Sequence, residues 1–336
     1  MLTKEQNDLL TQTGPGTPGG DLFRRYWQPV ALSAELPPGG APVPVCLLGE
    51  DLVLFRTGDG TPGLLGLHCA HRGCDLSYGR LEDGGIRCIY HGWLYDVRGR
   101  CLEQPGEPAD STFYERIRQP AYPCHEQAGI IFGYMGPGVP PLFPNFDILN
   151  APDDRRIVTK VHRESNYLQG NEGNIDSVHL SILHNFAPRW KPNPGFDVIE
   201  LEPTNHGIRN YWIRKLGEKN YIHITTFVMP NIGAFGGGRG EGYSFNWHVP
   251  IDDTHHWEYA INFRYEKPDE TWLGSGVGHK ELGPDYHPLR TMANRYLAGP
   301  RGDEDGDLRG CGPLLLRPRR RDGQPAPGVD ERAWSY

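Results

Sequence analysis

Apolar and polar positions along the chain follow two regimes. From Val43 to about Gly136 the apolar residues come in short runs, VPVCLLG, LVLFR, LLGLHC, IRCIYHGWLYD and AGIIFGYM, cut by Gly, Pro and Asp. Short runs with turn residues between them predict an all-β domain. Beyond Phe186 the runs lengthen and alternate, as in IRNYWIRKL, NYIHITTFVMP, YSFNWHVPI and HWEYAINFRYE, which predicts an antiparallel sheet. GPGVPPLFPNFDILNAPDD separates the two regimes, and its prolines mark a stiff domain linker. Residues 2–12 read as a short amphipathic helix with Leu9 and Leu10 on one side, followed by a Gly/Pro/Thr breaker.

The strongest helical pattern spans 166–186, NYLQGNEGNIDSVHLSILHNF, where Ile175, Val178 and Ile182 form an apolar stripe. Asp176 and His179, three apart beside that stripe, are expected to point toward the core together. His184 lies about 140° further round an ideal helix, so the two histidines reach one metal only where the helix ends or bulges. A helix packed on the later sheet makes an α+β domain able to enclose a pocket. Asp252, Asp253, His255 and His256 lie between two strand runs and read as a polar hairpin turn. GAFGGGRGEG reads as a loop.

With 336 residues and a 37% hydrophobic fraction, the chain has room for two cores. A net charge of -8 offers no basic footprint, which argues against nucleic acid and anionic membrane as partners. The longest apolar run is too short to span a bilayer and the first twenty residues lack the apolar core of a signal peptide. A cytoplasmic location is therefore expected. Two stretches match G-x-G-x-x-G by letter. GPGTPG follows no strand, and GDGTPG at 58–63 lies between two strand patterns as an Asp-Gly hairpin. With no nucleotide motif left, reducing power has to arrive from another polypeptide.

Candidate chemistry concentrates in residues 68–93. Cys69 and His71 stand in one short loop, Cys88 and His91 in another, with 16 residues between His71 and Cys88. Mixed sulfur and nitrogen ligation suits a tetrahedral zinc or a 2Fe-2S cluster with two histidines on one iron. Zinc fingers usually pair like with like, whereas here each loop offers one thiolate and one imidazole. The stretch resembles the Rieske domain: C-x-H-R-G in Cys69, His71, Arg72 and Gly73, then C-x-x-H-G-W in Cys88, His91, Gly92 and Trp93. His68 fits no ligand slot and reads as a strand or supporting residue. Cys74 sits where respiratory Rieske proteins carry half of a disulfide, but Tyr90 occupies the other half. That departure points to the lower-potential centres of soluble oxygenases. Cys46, Cys74, Cys101, Cys124 and Cys311 remain, an odd set that fits a reducing compartment.

The D-x-x-H-x-x-x-x-H spacing of Asp176, His179 and His184, on a chain with this first motif, resembles the Rieske non-haem iron ring-hydroxylating oxygenases. The resemblance implies that His179 and His184 bind a mononuclear ferrous iron. Asp176 would be the electron bridge to the Rieske histidine of a neighbouring subunit in a homotrimer, a role that falls here to His91. NYLQGNEGNIDSVHLSILH, MPNIGAFGGG and NWHVPIDDTHHW look most like the branch around phthalate dioxygenase, whose members oxidise aromatic acids and related ethers.

The implied fold is α+β, with an N-terminal all-β Rieske domain followed by a helix-grip-like catalytic domain of antiparallel sheet plus helix. The implied segments are 1–26 (helix and linker), 27–137 (Rieske domain), 138–155 (Pro-rich linker), 156–297 (mononuclear-iron domain) and 298–336 (tail). The implied function is the oxygenase component of a two-part system. It would use dioxygen, an aromatic substrate and a separate NAD(P)H-dependent reductase.

A third iron ligand, a carboxylate, is missing from this reading. Residues 298–336 hold 7 Gly, 5 Pro and 7 Arg without helical periodicity, a composition of disordered tail. Either the chain is shortened or frame-shifted there, the favoured account, or Asp303, Glu304, Asp305 or Asp307 substitutes. The rival readings are a Rieske electron-transfer or vestigial protein without a complete mononuclear site, and a zinc-stabilised binding protein.

Overall fold

A computed structural model describes residues 2–82, 84–183, 197–236, 242–268, 281–291 and 293–294. The chain divides into two compact units, one of residues 13–150 and one combining residues up to 12 with those from 151 onward.

Helix α1, Lys4–Thr11, opens on a capping box in which Thr3 and Gln6 exchange side-chain and backbone hydrogen bonds. The Gly/Pro/Thr stretch after it is more than a breaker. Thr17 caps helix α2, Pro18–Phe23, with proline at its first turn, where no N–H is needed.

The first unit then builds eleven strands: β1 Gln28–Leu32, β2 Val43–Leu47, β3 Glu50–Arg56, β4 Pro62–Gly66, β5 Arg80–Glu82, β6 Gly85–Arg87, β7 Leu94–Tyr95, β8 Cys101–Glu103, β9 Ala121–Tyr122, β10 Cys124–Gln127 and β11 Ile130–Gly133. They form three antiparallel sheets, β1-β11-β10, β2-β3-β4-β9 and β5-β6-β7-β8. GDGTPG is the β3–β4 hairpin, with Gly60 at φ +88°. The proline-rich segment packs on this unit: Phe143 stacks on His125, and Trp27 donates its indole N–H to Pro141. Helix α3, Asp147–Asn150, ends the unit.

The second unit is one seven-stranded antiparallel sheet in the order β12-β18-β17-β16-β15-β14-β13. Its strands are β12 Arg156–Arg163, β13 Val198–Thr204, β14 Gly207–Leu216, β15 Lys219–Val228, β16 Ile232–Gly236, β17 Gly242–Pro250 and β18 His256–Arg264. β14, β15, β17 and β18 are the four alternating runs of the sequence, and β12, β13 and β16 are additional. The β17–β18 turn is closed by Asp252, whose carboxylate accepts the N–H groups of Thr254 and His255. The acid and histidine quartet is thus a hairpin turn. Only His256 leaves it for the interior.

Helix α4, Tyr167–Ile175, is shorter than the periodicity predicts. Two glycines and two asparagines among its residues YLQGNEGNI weaken it as a helix. Asp176 ends it, because its side chain turns to accept the Val178 N–H instead of extending the helix. A 3-10 turn, Val178–Ser181, follows. The apolar stripe is consequently not buried: Val178 is 56% and Ile182 70% exposed. The N-terminal helix is tied to α4, since Tyr167 and Asn166 donate to the carbonyls of Leu10 and Thr11. Residues 2–12 thus belong with the second unit, whereas the sequence reading set residues 1–26 apart as a helix and linker.

What α4 lacks in propensity is supplied by a polar seam beneath it. His256 Nδ1 donates to the Ser165 carbonyl, so its Nε2 accepts from His248 Nδ1 at 3.1 Å. His248 Nε2 in turn accepts from the Asn174 amide, and Asn174 Oδ1 accepts from Asn246 at 3.0 Å. Gly170 lies directly on His248, where an added Cβ would come within 2.4 Å of its Nδ1. Burial lowers both imidazole pKa values, that of His248 to about 4.

Folding thus depresses the His248 pKa from about 6.5, and between that value and about 4 the native state binds fewer protons than the unfolded chain. Stability is expected to fall as pH drops through this window, by ~1.4 kcal/mol per pH unit for this group. Urea midpoints of the native protein and a His248→Gln variant between pH 7 and pH 5 check it. The variant should show the shallower slope.

Candidate metal centres

The two loops of the first unit repeat one backbone pattern. Cys69 N–H donates to Cys74 O and Gly73 N–H returns to Cys69 O, each at 2.8 Å. Cys88 N–H donates to Trp93 O at 2.9 Å and Gly92 N–H returns to Cys88 O at 3.1 Å. Gly73 (φ +69°) and Gly92 (φ +75°) make these returns in the left-handed region. The glycines of C-x-H-R-G and C-x-x-H-G-W are therefore turn residues, each four positions after its cysteine.

Both thiols are buried, in a core that includes Val53, Phe55, Leu76, Ile86 and Tyr95. The imidazoles of His71 and His91 meet at 4.5 Å between ring centroids, and His71 lies flat on Trp93 at 4.4 Å. His71 Nδ1 is buried without a hydrogen-bond partner, a costly state unless a metal takes its lone pair. Burial pushes the Cys69 thiol pKa up, and a thiolate in such a place needs a cation beside it. Two buried thiols, two adjoining imidazoles and an orphaned ring nitrogen fit a 2Fe-2S cluster with two-cysteine, two-histidine ligation.

Three residues that the sequence pattern passed over hold these loops. Gln119 is buried; it donates to the carbonyls of Gly66 and His68 and accepts the Ala70 N–H. Arg87 donates to Gly92 O and pairs with Glu82 and Glu103. The Tyr95 hydroxyl stands 3.2 Å from Cys69 Sγ. A phenol there donates to a ligating thiolate, the kind of contact that tunes such a centre. Gln119 and Tyr95 escape a local motif because they act across the fold, 26 to 53 residues from their partners. His68 takes its expected supporting place in a bridge with Asp75. Cys74 is a free thiol beside Cys88, in accord with Tyr90 at the position of the absent disulfide partner.

In the second unit, His179 Nδ1 lies 3.2 Å from Asp176 Oδ2. The contact lowers the Asp176 pKa and keeps the carboxylate ionised. Carboxylate contact at one ring nitrogen is the usual support of a metal-ligating histidine, so the described half of this donor set fits a divalent iron. Both groups stand on a partly exposed turn, not in the core. His184 lies outside the described residues, as do Asp303, Glu304, Asp305, Asp307 and Cys311. Among the described residues no helix is long and apolar enough to cross a membrane.

Residues 26–123 match the model of the Rieske [2Fe-2S] domain. The chain is 39% identical over 272 residues to the phenoxybenzoate dioxygenase alpha subunit of Ectopseudomonas oleovorans, covering 74% of this chain and 65% of that protein. It thus spans just under two thirds of that relative. With the phthalate 4,5-dioxygenase oxygenase subunit of Pseudomonas putida the identity is 35%, over 92% of this chain and 76% of the relative. The reduced oxygenase–ferredoxin complex of carbazole 1,9a-dioxygenase matches in fold, with a TM-score of 0.59 at 24% identity over 76% of this chain and 74% of that one. Together with the paired cysteine-histidine loops, the match across most of both chains places this protein in the family of Rieske-type aromatic-ring oxygenase subunits that includes phthalate 4,5-dioxygenase.

Proposed function

We propose that this chain is the oxygenase component of a two-part system that hydroxylates an aromatic acid or aryl ether. The observation that carries the reading is the Asp176–His179 pair on a partly exposed turn of a chain whose other unit is a Rieske domain. Relatives named for phenoxybenzoate and phthalate support the substrate class. When bound, the 2Fe-2S cluster supplies one-electron transfer and a mononuclear iron supplies dioxygen activation.

The chain's own residues do the rest. Asp176 accepts a hydrogen bond from His179 Nδ1–H, which fixes the tautomer so that Nε2 would be the nitrogen that holds iron, with His184 as the second ligand. Being ionised and half exposed, Asp176 can also accept an imidazole N–H from His91 of a neighbouring copy. Exposed Ile89 and Tyr90 beside His91, and exposed Val178 and Ile182 near Asp176, are the apolar surfaces that a homotrimer would cover. Electrons come from an NAD(P)H-dependent reductase, since no nucleotide motif is present. Solved oxygenase–ferredoxin complexes of the same fold support a protein electron donor. None of the described cysteines is in a disulfide, which suits the reducing cytoplasm.

Anaerobically purified protein is expected to be red-brown and to hold about three irons per chain, two in the cluster and one mononuclear. About two irons with the same colour would leave a Rieske centre alone and overturn the oxygenase reading. A colourless zinc protein would overturn both. Replacing Asp176→Asn should leave the visible spectrum unchanged and lower substrate-dependent oxygen consumption by roughly 10- to 100-fold. An unchanged rate would remove Asp176 from the electron path.

A further inference from the structure

The turn that carries Asp176 and His179 is short, partly exposed and 3-10 in character, and such turns hold their geometry poorly unaided. Two side chains of one strand grip it at either end. Asn210 of β14 donates its amide to Ile175 O at 2.7 Å and meets Ser177 Oγ at 3.4 Å. Arg214, four residues on and therefore on the same face of β14, donates Nη2 to Ser181 Oγ at 2.8 Å.

Arg214 is itself immobilised. Its side chain is 1% exposed and lies 4.4 Å over the Trp212 ring. Its Nε and Nη2 form a fork on Asp197 at 3.1 and 2.7 Å, and the Trp212 indole donates to the same carboxylate at 3.0 Å. A planar guanidinium can pair with the carboxylate and still direct an N–H at Ser181, which a lysine ammonium cannot do with the same fixed geometry. Ser181 lies between His179 and His184, two residues after the first and three before the second.

We infer that Arg214, acting through Ser181, is a positioning residue that sets the angle at which His179 is presented to the mononuclear metal. The inference rests on the reading of His179 as a metal ligand. Asn210 holds the start of the segment and Arg214 its end, so the sheet determines a geometry that the turn cannot keep alone.

Cobalt(II) titration of the full chain, cluster intact and mononuclear metal removed by chelation, tests it. Ser181→Ala deletes the contact and leaves the Arg214–Asp197 pair in place. Expected are an unchanged cluster spectrum and thermal midpoint, a cobalt affinity lowered about tenfold, shifted cobalt visible bands, and rescue of both by Ser181→Thr. Native affinity and bands in Ser181→Ala, with cobalt bound by the unaltered chain, would overturn the inference alone. So would a loss of affinity that tracks a fall in the thermal midpoint of the metal-free chain, since it would mark a purely structural hydroxyl. No cobalt bound by the unaltered chain would overturn the ligand reading, and the inference with it.

Discussion

The hydrogen-bonded seam from Ser165 O through His256 and His248 to Asn174 is the interaction on which the second unit most depends. A nine-residue helix rich in glycine and asparagine has little stability of its own. It persists because Asn174 meets matching groups of the sheet in His248 and Asn246, and because Gly170 lets the helix approach closely. Neutral imidazoles suit this place, since each ring both donates and accepts and carries no charge into a dry interior. The same chemistry makes the seam costly to break, because one lost partner leaves another buried group unsatisfied.

The Rieske unit solves the reverse problem. Its core is apolar, and the two buried thiols and the orphaned His71 nitrogen are tolerable there only because a metal cluster satisfies them together. The two loops are held by Gln119 and Tyr95 from elsewhere in the fold and by Arg87 beside Cys88. Rigidity of this kind matters for electron transfer, where the cluster's surroundings set its potential. The histidines reach the margin of the unit while the cysteines stay inside.

Both units keep apolar side chains exposed beside their candidate centres, Ile89 and Tyr90 in one and Val178 and Ile182 in the other. Taken as helix-stripe residues, Val178 and Ile182 belong in the core. Once Asp176 ends the helix, they are released to the surface. A carboxylate that caps a helix therefore also decides which neighbours are left for association.

By itself the sequence determined the paired cysteine-histidine loops, the two-regime division of the chain and most strands of the second sheet. All three are encoded locally, as ligand spacing, turn glycines and alternation. It could not determine where α4 ends, because Ile175, Val178 and Ile182 have helical period while the competing Asp176 turn depends on side-chain geometry. Nor could it reveal Gln119, Tyr95, Asn210 or Arg214. Each acts on a loop or turn through contacts that only the folded sheets create, and a residue's neighbours across a sheet leave no periodic trace in its own segment. Tertiary structure alone also assigned residues 2–12 to the second unit, since two hydrogen bonds to α4 bridge more than 150 residues of chain.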